Sequence, residues 1–269
     1  MCQFFSCVSD GYGYVMYFDA EMRKKIINKQ ANYQETDSHT SIAHHYGFRG
    51  RAEDKLNKYE YNPLTGKFAV DQLNTTDDSK QVRRFCNSLD FSTVVPELVI
   101  KDIINPLTNV VASEVTEQVK ELLKQWASVR DSAWPSARDS AWPSAWDSVR
   151  DSVGASVRDS VWASVRWAVW DSVWASVRDS VWASVWDSVG ASVRWAVWNS
   201  VWDSVRVYIS SFFNLPNWKY IEHKEGENPF QPCIDLWERG FVPSFDGKIW
   251  RLHAGPKAEI IYEWRKENA

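Results

Sequence analysis

The stretch D-S-V-W-A-S-V-R-D-S-V-W-A-S-V-W (Asp171 to Trp186) is one passage of a four-residue repeat that runs from about Ala127 to Arg206. Ser recurs at every fourth position from Ser128 to Ser164, gives way to Ala at Ala168, returns from Ser172 to Ser192, lapses at Ala196 and resumes at Ser200 and Ser204. Val follows it, or Ala in the early copies. The next position takes Trp, Arg or Gly, and the position before Ser takes Asp, Ala, Pro or Asn. Trp, Arg and Gly share little chemistry, but their codons can differ by one base. Longer copies, D-S-A-W-P-S-A at Asp131 and Asp139 and A-S-V-R-W-A-V-W at Ala163 and Ala191, point to growth by duplication. Ser and Val read as the structural pair, and the Trp/Arg/Gly position as the variable surface. Repeats of this kind build self-stacking elements whose product is surface and not a single pocket.

A strand would place Val on one face with Asp or Ala, and Ser on the other with Trp or Arg, so neither face would be apolar. In an α-helix successive copies advance about 400°, so a Val row drifts about 40° per tetrad. Rows spaced by four are also the ridges that interdigitate when helices pack. One unbroken helix would stretch about 120 Å, and Pro135, Pro143, Gly154 and Gly190 are natural breaks. The preceding E-V-T-E-Q-V-K-E-L-L-K-Q-W (Glu114 to Trp126) carries Val115, Val119, Leu122, Leu123 and Trp126 on one helical face and enters the repeat without a turn signal. The tract therefore reads as helical. A β-solenoid is the alternative, because Ser, Val and Asp are mediocre helix formers.

The flanks read as ordinary folded sequence. A hairpin is expected around D-G-Y-G (Asp10 to Gly13), then a helix over Ala20 to Lys29 and a short one over Ser38 to Tyr46. Two strands should surround N-P-L-T-G between Tyr59 and Leu73, with a helix over Asp77 to Ser88 facing Val82 and Phe85 inward. After the repeat come a continuing helix to Phe213, a short helix over Pro232 to Arg239, a hairpin through F-D-G-K (Phe245 to Lys248) and a last strand, Ala258 to Trp264. The fold class is α+β: residues 1–113 form the N-terminal part of a mixed body, 114–213 the helical lead-in and repeat, and 214–269 a helix–hairpin part too small to stand alone and expected to pack with the N-terminal body.

Three flanking segments carry a resemblance. D-S-H-T-S-I-A-H-H-Y-G (Asp37 to Gly47), Y-E-Y-N-P-L-T-G-K-F (Tyr59 to Phe68) and N-P-F-Q-P-C-I-D-L-W-E-R-G (Asn228 to Gly240) resemble pieces of uncharacterised bacterial and bacteriophage proteins that also carry S-V-W/S-V-R tracts. The resemblance implies a microbial or phage origin and transfers no activity.

A net charge of −4 gives no general pull toward nucleic acid, and seventeen Trp, most of them inside the repeat, far exceed ordinary usage. Four Cys lie scattered without C-x-x-C spacing, and no cleavable leader or long uncharged span is present, so a cytoplasmic protein without a membrane span is expected. Removal of Met1 would expose Cys2, which resembles the start of an N-terminal-nucleophile amidohydrolase, although no oxyanion-hole or partner motif accompanies it. His39, His44 and His45 lack a third ligand at zinc spacing, so no metal and no cofactor are expected.

Arg four residues from Trp on a helix stacks as a cation–π pair. The residues expected to bind are Trp162, Arg166, Trp170, Trp174, Arg178, Trp182 and Trp186. Such rings equally fill a core between stacked repeats. Asp nearly matches Arg in number through the tract, which disfavours single-stranded nucleic acid as the partner. Self-association or binding of another protein is the preferred function, since Trp and Arg anchor interfaces. The amidohydrolase and the nucleic-acid binder are the alternatives.

Overall fold

The computed structural model describes residues 5–133, 165–185, 191–215, 218 and 221–265. They divide into two compact units, one drawn from Met1–Lys101 and Gly154–Ala168, the other from Asp102–Val153 and Val169–Ala269. The architecture is α+β.

The first unit is built on an antiparallel sheet of order β2-β1-β3-β4, comprising β1 (Phe5–Ser9), β2 (Val15–Met16), β3 (Asn57–Asn62) and β4 (Lys67–Gln72). The D-G-Y-G turn joins β1 to β2 as its composition requires. Gly11 has φ 84°, and a Cβ there would lie 2.5 Å from Thr75 Cγ2 and 2.9 Å from the Thr76 carbonyl. Only glycine fits that combination of left-handed backbone and close approach. Asp78 holds the turn down. Its carboxylate accepts from Ser9 Oγ, from the Gly13 amide at 3.0 Å, from Asn57 Nδ2 at 3.1 Å and from the Tyr59 hydroxyl at 2.6 Å. Burial pushes the Asp78 pKa up, but these donors prevail and hold it below the usual carboxylate value.

Helices α1 (Ala20–Ile27), α2 (His39–His45), α3 (Ser79–Ser88) and α4 (Phe91–Val94) accompany this sheet, with a 3₁₀ turn at Gly50–Lys55. Asp19 and Ser38 cap α1 and α2 by accepting from the Met22 and Ser41 amides. In α3 the buried row is Val82 and Cys86, four apart; Phe85 is only half-buried. Arg23, 1% exposed, donates to Glu97 Oε1 through both Nε (3.1 Å) and Nη2 (2.5 Å) and to the Thr36 carbonyl through Nη1.

In the second unit α5 (Glu117–Ala133) buries Val119, Leu122, Leu123 and Trp126 and continues into the first repeats, while Val115, expected on the same face, precedes the helix and is half-buried. The described part of the tract is helical. Residues 165–169 lead into a π turn, Trp170–Trp174, followed by α6 (Ala175–Val185) and α7 (Ala191–Ser210). No strand occurs among the described residues of the repeat, so the solenoid alternative is not what forms there. The Val row is the buried one: Val173, Val177, Val181 and Val185 on one helix, Val197, Val201 and Val205 on the other. A row spaced by four over-rotates in an α-helix, whereas the i→i+5 bonding of a π turn uses more residues per turn. The π turn at Trp170–Trp174 therefore winds the drift back.

The remaining elements are α8 (Gln231–Glu238) and an antiparallel sheet of order β5-β6-β7, from Val242–Phe245, Ile249–Ala254 and Glu259–Arg265. Pro232 stands in the first turn of α8, where a missing N–H does no harm. At the F-D-G-K turn Asp246 Oδ1 accepts from the Lys248 and Ile249 amides, both at 2.8 Å. This helix and hairpin pack on α5 and α7 and also bond the segment before α5, where Trp237 Nε1 donates to the Ile104 carbonyl and the Ser113 amide to that of Arg239. The β5–α7 contact uses the repeat directly. Ser200 Oγ accepts from the Phe245 amide at 2.8 Å, and Ser204 Oγ donates to the Pro243 carbonyl at 3.3 Å. Four residues of helix rise about 6 Å and two residues of strand about 6.6 Å. The repeat spacing thus matches the spacing of outward-facing groups on a strand edge.

Candidate interaction surface

The π turn and α6 meet α7 through indoles. Trp170 stacks on Trp174 with centroids 4.5 Å apart and planes at 25°, and Trp202 stands edge-on to both, at 4.7 and 4.5 Å. Trp198 is edge-on to Trp174 at 5.7 Å and to Trp182 at 5.8 Å. Early residues of one helix meet late residues of the other, so the pair runs antiparallel. T-shaped and offset contacts at these distances are the favourable geometries of aromatic quadrupoles, each contributing about 0.5–1.5 kcal/mol beyond burial. Trp174 is 5% exposed, whereas Trp170, Trp182, Trp198 and Trp202 are half-buried.

Cations complete the ladder. The Arg178 guanidinium lies 5.9 Å from the Trp174 centroid and 6.0 Å from that of Trp198, and Arg206 lies 4.5 Å from that of Trp202. Arg178 also donates to Asp179 Oδ1 at 2.6 Å, which draws the exposed Asp179 carboxyl below its usual value. The result is a strip of half-buried rings edged by arginines, one of them paired with the Asp179 carboxylate.

Of the residues expected from sequence, Trp170, Trp174, Arg178 and Trp182 converge on this strip. Arg166 instead stacks over Trp167 at 5.3 Å, and Trp167 is 43% exposed. Trp162 and Trp186 lie outside the described residues, as do Cys2 and the breaks at Pro135, Pro143, Gly154 and Gly190. Trp198, Trp202 and Arg206 belong to the strip but were not among the expected residues. They stand at the same tetrad position as the others, after A-V or S-V, so the period that found Trp182 also marks them. The Trp position is not simply a surface, because Trp174 fills the seam between the helices.

The other candidate chemistries find different settings. Cys7, Cys86 and Cys233 are buried free thiols. Contact with Cys86 together with burial pushes the Cys7 thiol well up, and burial does the same to Cys233, so neither offers a thiolate at neutral pH. His39 Nε2 lies 3.0 Å from the Tyr59 carbonyl, His44 Nε2 lies 3.0 Å from Glu53 Oε2, and His45 packs among Phe18, Tyr33 and Tyr46. Among the described residues no group of three or more potential ligands could hold a metal ion. An open cleft of about 510 Å³ lies between the D-G-Y-G turn and the start of α3, lined by Tyr12, Asp77, Lys80, Gln81 and Arg84, where mixed charges favour no single ligand. No helix among the described residues is long and apolar enough to cross a membrane.

No family model, no curated protein and no solved structure matches this chain.

Proposed function

We propose that this is a non-enzymatic interaction protein whose Trp/Arg strip mediates self-association or binds another protein, in the cytoplasm of a bacterial cell or a phage-infected host. One observation carries the reading: Trp170, Trp174, Trp182, Trp198 and Trp202 gather along the line where two repeat helices meet, each in contact with another ring, and all but Trp174 stay partly exposed. Rigid aromatic area flanked by arginine is what protein interfaces concentrate at their anchors, since little side-chain entropy remains to be lost on binding. Within the chain, repeat already docks on repeat through these rings. A second copy brings the same complementary rows.

The ring faces also weigh against single-stranded nucleic acid. Base stacking needs open faces, and here Trp174 is covered by Trp170 while Arg206 lies over Trp202.

Light scattering of the full chain across a concentration series tests the proposal. Trp182→Arg suits it, because Arg is native to that tetrad position and preserves the helix. Concentration-dependent assembly that Trp182→Arg weakens is the expected result. Assembly unchanged by Trp182→Arg, with no protein partner lost, would overturn it.

A further inference from the structure

The sheet β5-β6-β7 treats its two edges differently. On the β5 side, Ser200 and Ser204 of the repeat bond the Phe245 amide and the Pro243 carbonyl. On the β7 side the strand pairs only with β6, and among the described residues no hydrogen bond reaches its outward amides and carbonyls. β7 is seven residues long, Glu259–Arg265, and alternates exposed and half-buried side chains, with one bulge at Ile261 where its register against β6 steps from Leu252–Tyr262 to His253–Ile260. Its outer backbone groups are unpaired, and on either side of the bulge it has the form of a strand open to pairing.

Charges on an open edge usually keep other strands away. Those of β7 are arranged to receive a copy of itself. Laid antiparallel about Tyr262, E-I-I-Y-E-W-R sets Glu259 opposite Arg265 at both ends, Ile260 opposite Trp264 inside them, and Tyr262 opposite Tyr262. Opposite charges and aromatic–β-branched pairs are the cross-strand neighbours that stabilise antiparallel ladders. Neither Glu259 nor Arg265 has an ion-pair partner among the described residues. Glu263, which would face Ile261, is already held by Arg251 Nε of its own sheet at 2.7 Å.

We propose that the outer edge of β7 is a homodimer interface, in which two copies pair antiparallel about Tyr262 and join two three-stranded sheets into one of six strands. This surface shares no residue with the tryptophan strip. The other long open edge, β4, is less suited: Asp71, which would pair with Lys67 of a second copy, lies 3.6 Å from His39 of its own chain.

Sedimentation velocity and light scattering on the full chain provide the test. Glu259→Arg or Arg265→Glu alone places like charges opposite each other at both ends of the two-fold pair. Each should weaken dimerisation on the order of tenfold. The double variant Glu259→Arg with Arg265→Glu restores both pairs in swapped order and should recover the original dimer, while Lys67→Glu on β4 should leave it unchanged. Single reversals without effect, a double variant that does not recover, or a dimer lost through Lys67→Glu each overturn the pairing. Trp182→Arg reads the other surface, so a β7 series without effect beside a Trp182→Arg variant that weakens assembly sinks this dimer and leaves the tryptophan reading standing. A peptide of another protein seated on β7 would bind the monomer without responding to the charge swap, and that result also overturns the homodimer.

Discussion

Arg130 and Asp203 meet in the interior of the second unit, with Arg130 Nε donating to Asp203 Oδ2 at 3.4 Å and their side chains 9% and 6% exposed. Arg130 closes the first tetrad of the repeat and Asp203 opens the last. The guanidinium also lies over Phe245 at 5.5 Å and Trp250 at 5.7 Å. The two ends of the tract are therefore fastened to each other and to the C-terminal hairpin. Asp171 and Asp179, at the same tetrad position, are exposed.

Removing one member of a buried pair leaves the other charge desolvated, and such changes cost about 3–5 kcal/mol. Asp203→Ala should lower the unfolding free energy by about 3 kcal/mol in urea, followed by Trp fluorescence. Arg130→Met combined with Asp203→Leu should cost less than Asp203→Ala alone, because neither charge is then stranded. A single variant as stable as the parent would remove the pair from any structural role.

Ser200 and Ser204 are 0% exposed; Ser200 Oγ also donates to the Val197 carbonyl, and the single Ser204 hydroxyl proton is shared between the Ser200 carbonyl at 2.9 Å and that of Pro243 at 3.3 Å. Ser200→Ala should leave the part-buried Phe245 amide without its acceptor, at about 1 kcal/mol, the low end of the cost of an unsatisfied group. Hydrogen exchange reads this locally: the Phe245 amide should lose protection in the variant while amides of α1 and β3 keep theirs. Equal protection of Phe245 in both proteins would show that the edge is sealed by something else.

Local chemistry made much of the fold legible. D-G-Y-G, N-P-L-T-G and F-D-G-K each contain the residues their turns demand, and Glu114 to Trp126 carries a one-sided apolar row that declares a helix. Pairing within the repeat was not legible. Every tetrad offers a neighbouring tetrad the same Ser, Val and Trp, so nothing in the period says that Trp174 meets Trp198 and Trp202, or that Arg130 finds Asp203 among many aspartates. The role of Ser was hidden for a related reason. Its hydroxyl meets a strand edge that lies outside the repeat, and only Pro243, a residue suited to an edge strand, hinted that such an edge existed.

His253 links three elements and gives the second unit a pH dependence. Its Nε2 accepts from Ser244 Oγ at 2.7 Å, and its Nδ1 lies 3.0 Å from the Ala258 carbonyl and 3.2 Å from Ser184 Oγ of α6. Burial pushes its pKa down to about 4 against an ordinary 6.5; the Ala258 carbonyl opposes the shift and the charge of Arg251 adds to it. Asp246 at 2.6 Å and Glu263 at 2.7 Å are the carboxylates that hold Arg251. Between the two pKa values the unfolded chain binds more protons than the folded one. The stabilisation is thus complete above pH 6.5 and lost as pH falls toward 4, about 3 kcal/mol in all. Unfolding free energies measured across that window should fall for the parent and stay nearly flat for His253→Gln. Parallel curves would assign the acid sensitivity to other groups.

Repeat length offers a test of whether the period itself is the structural rule. Deleting one tetrad, Ser176 to Asp179, brings Ser180, Val181 and Trp182 to the places of Ser176, Val177 and Arg178, so each row keeps its chemistry while the downstream helix turns by about 40°. Asn105 Nδ2, which bonds Ser176 Oγ at 2.5 Å, then finds another Ser. Deleting only Ser176 to Arg178 instead brings Asp179 to the place of Ser176 and Ser180 to that of the buried Val177. It also puts Val181 at the position of Arg178. The whole-tetrad deletion is expected to retain the near-ultraviolet dichroism of the coupled indoles and to lose about 1–2 kcal/mol, within the ordinary range for a point change. The three-residue deletion should lose that signal and cost more than about 4 kcal/mol, because polar groups enter a packed apolar seam. If the two deletions behave alike, the seam is held by particular residues and not by the period.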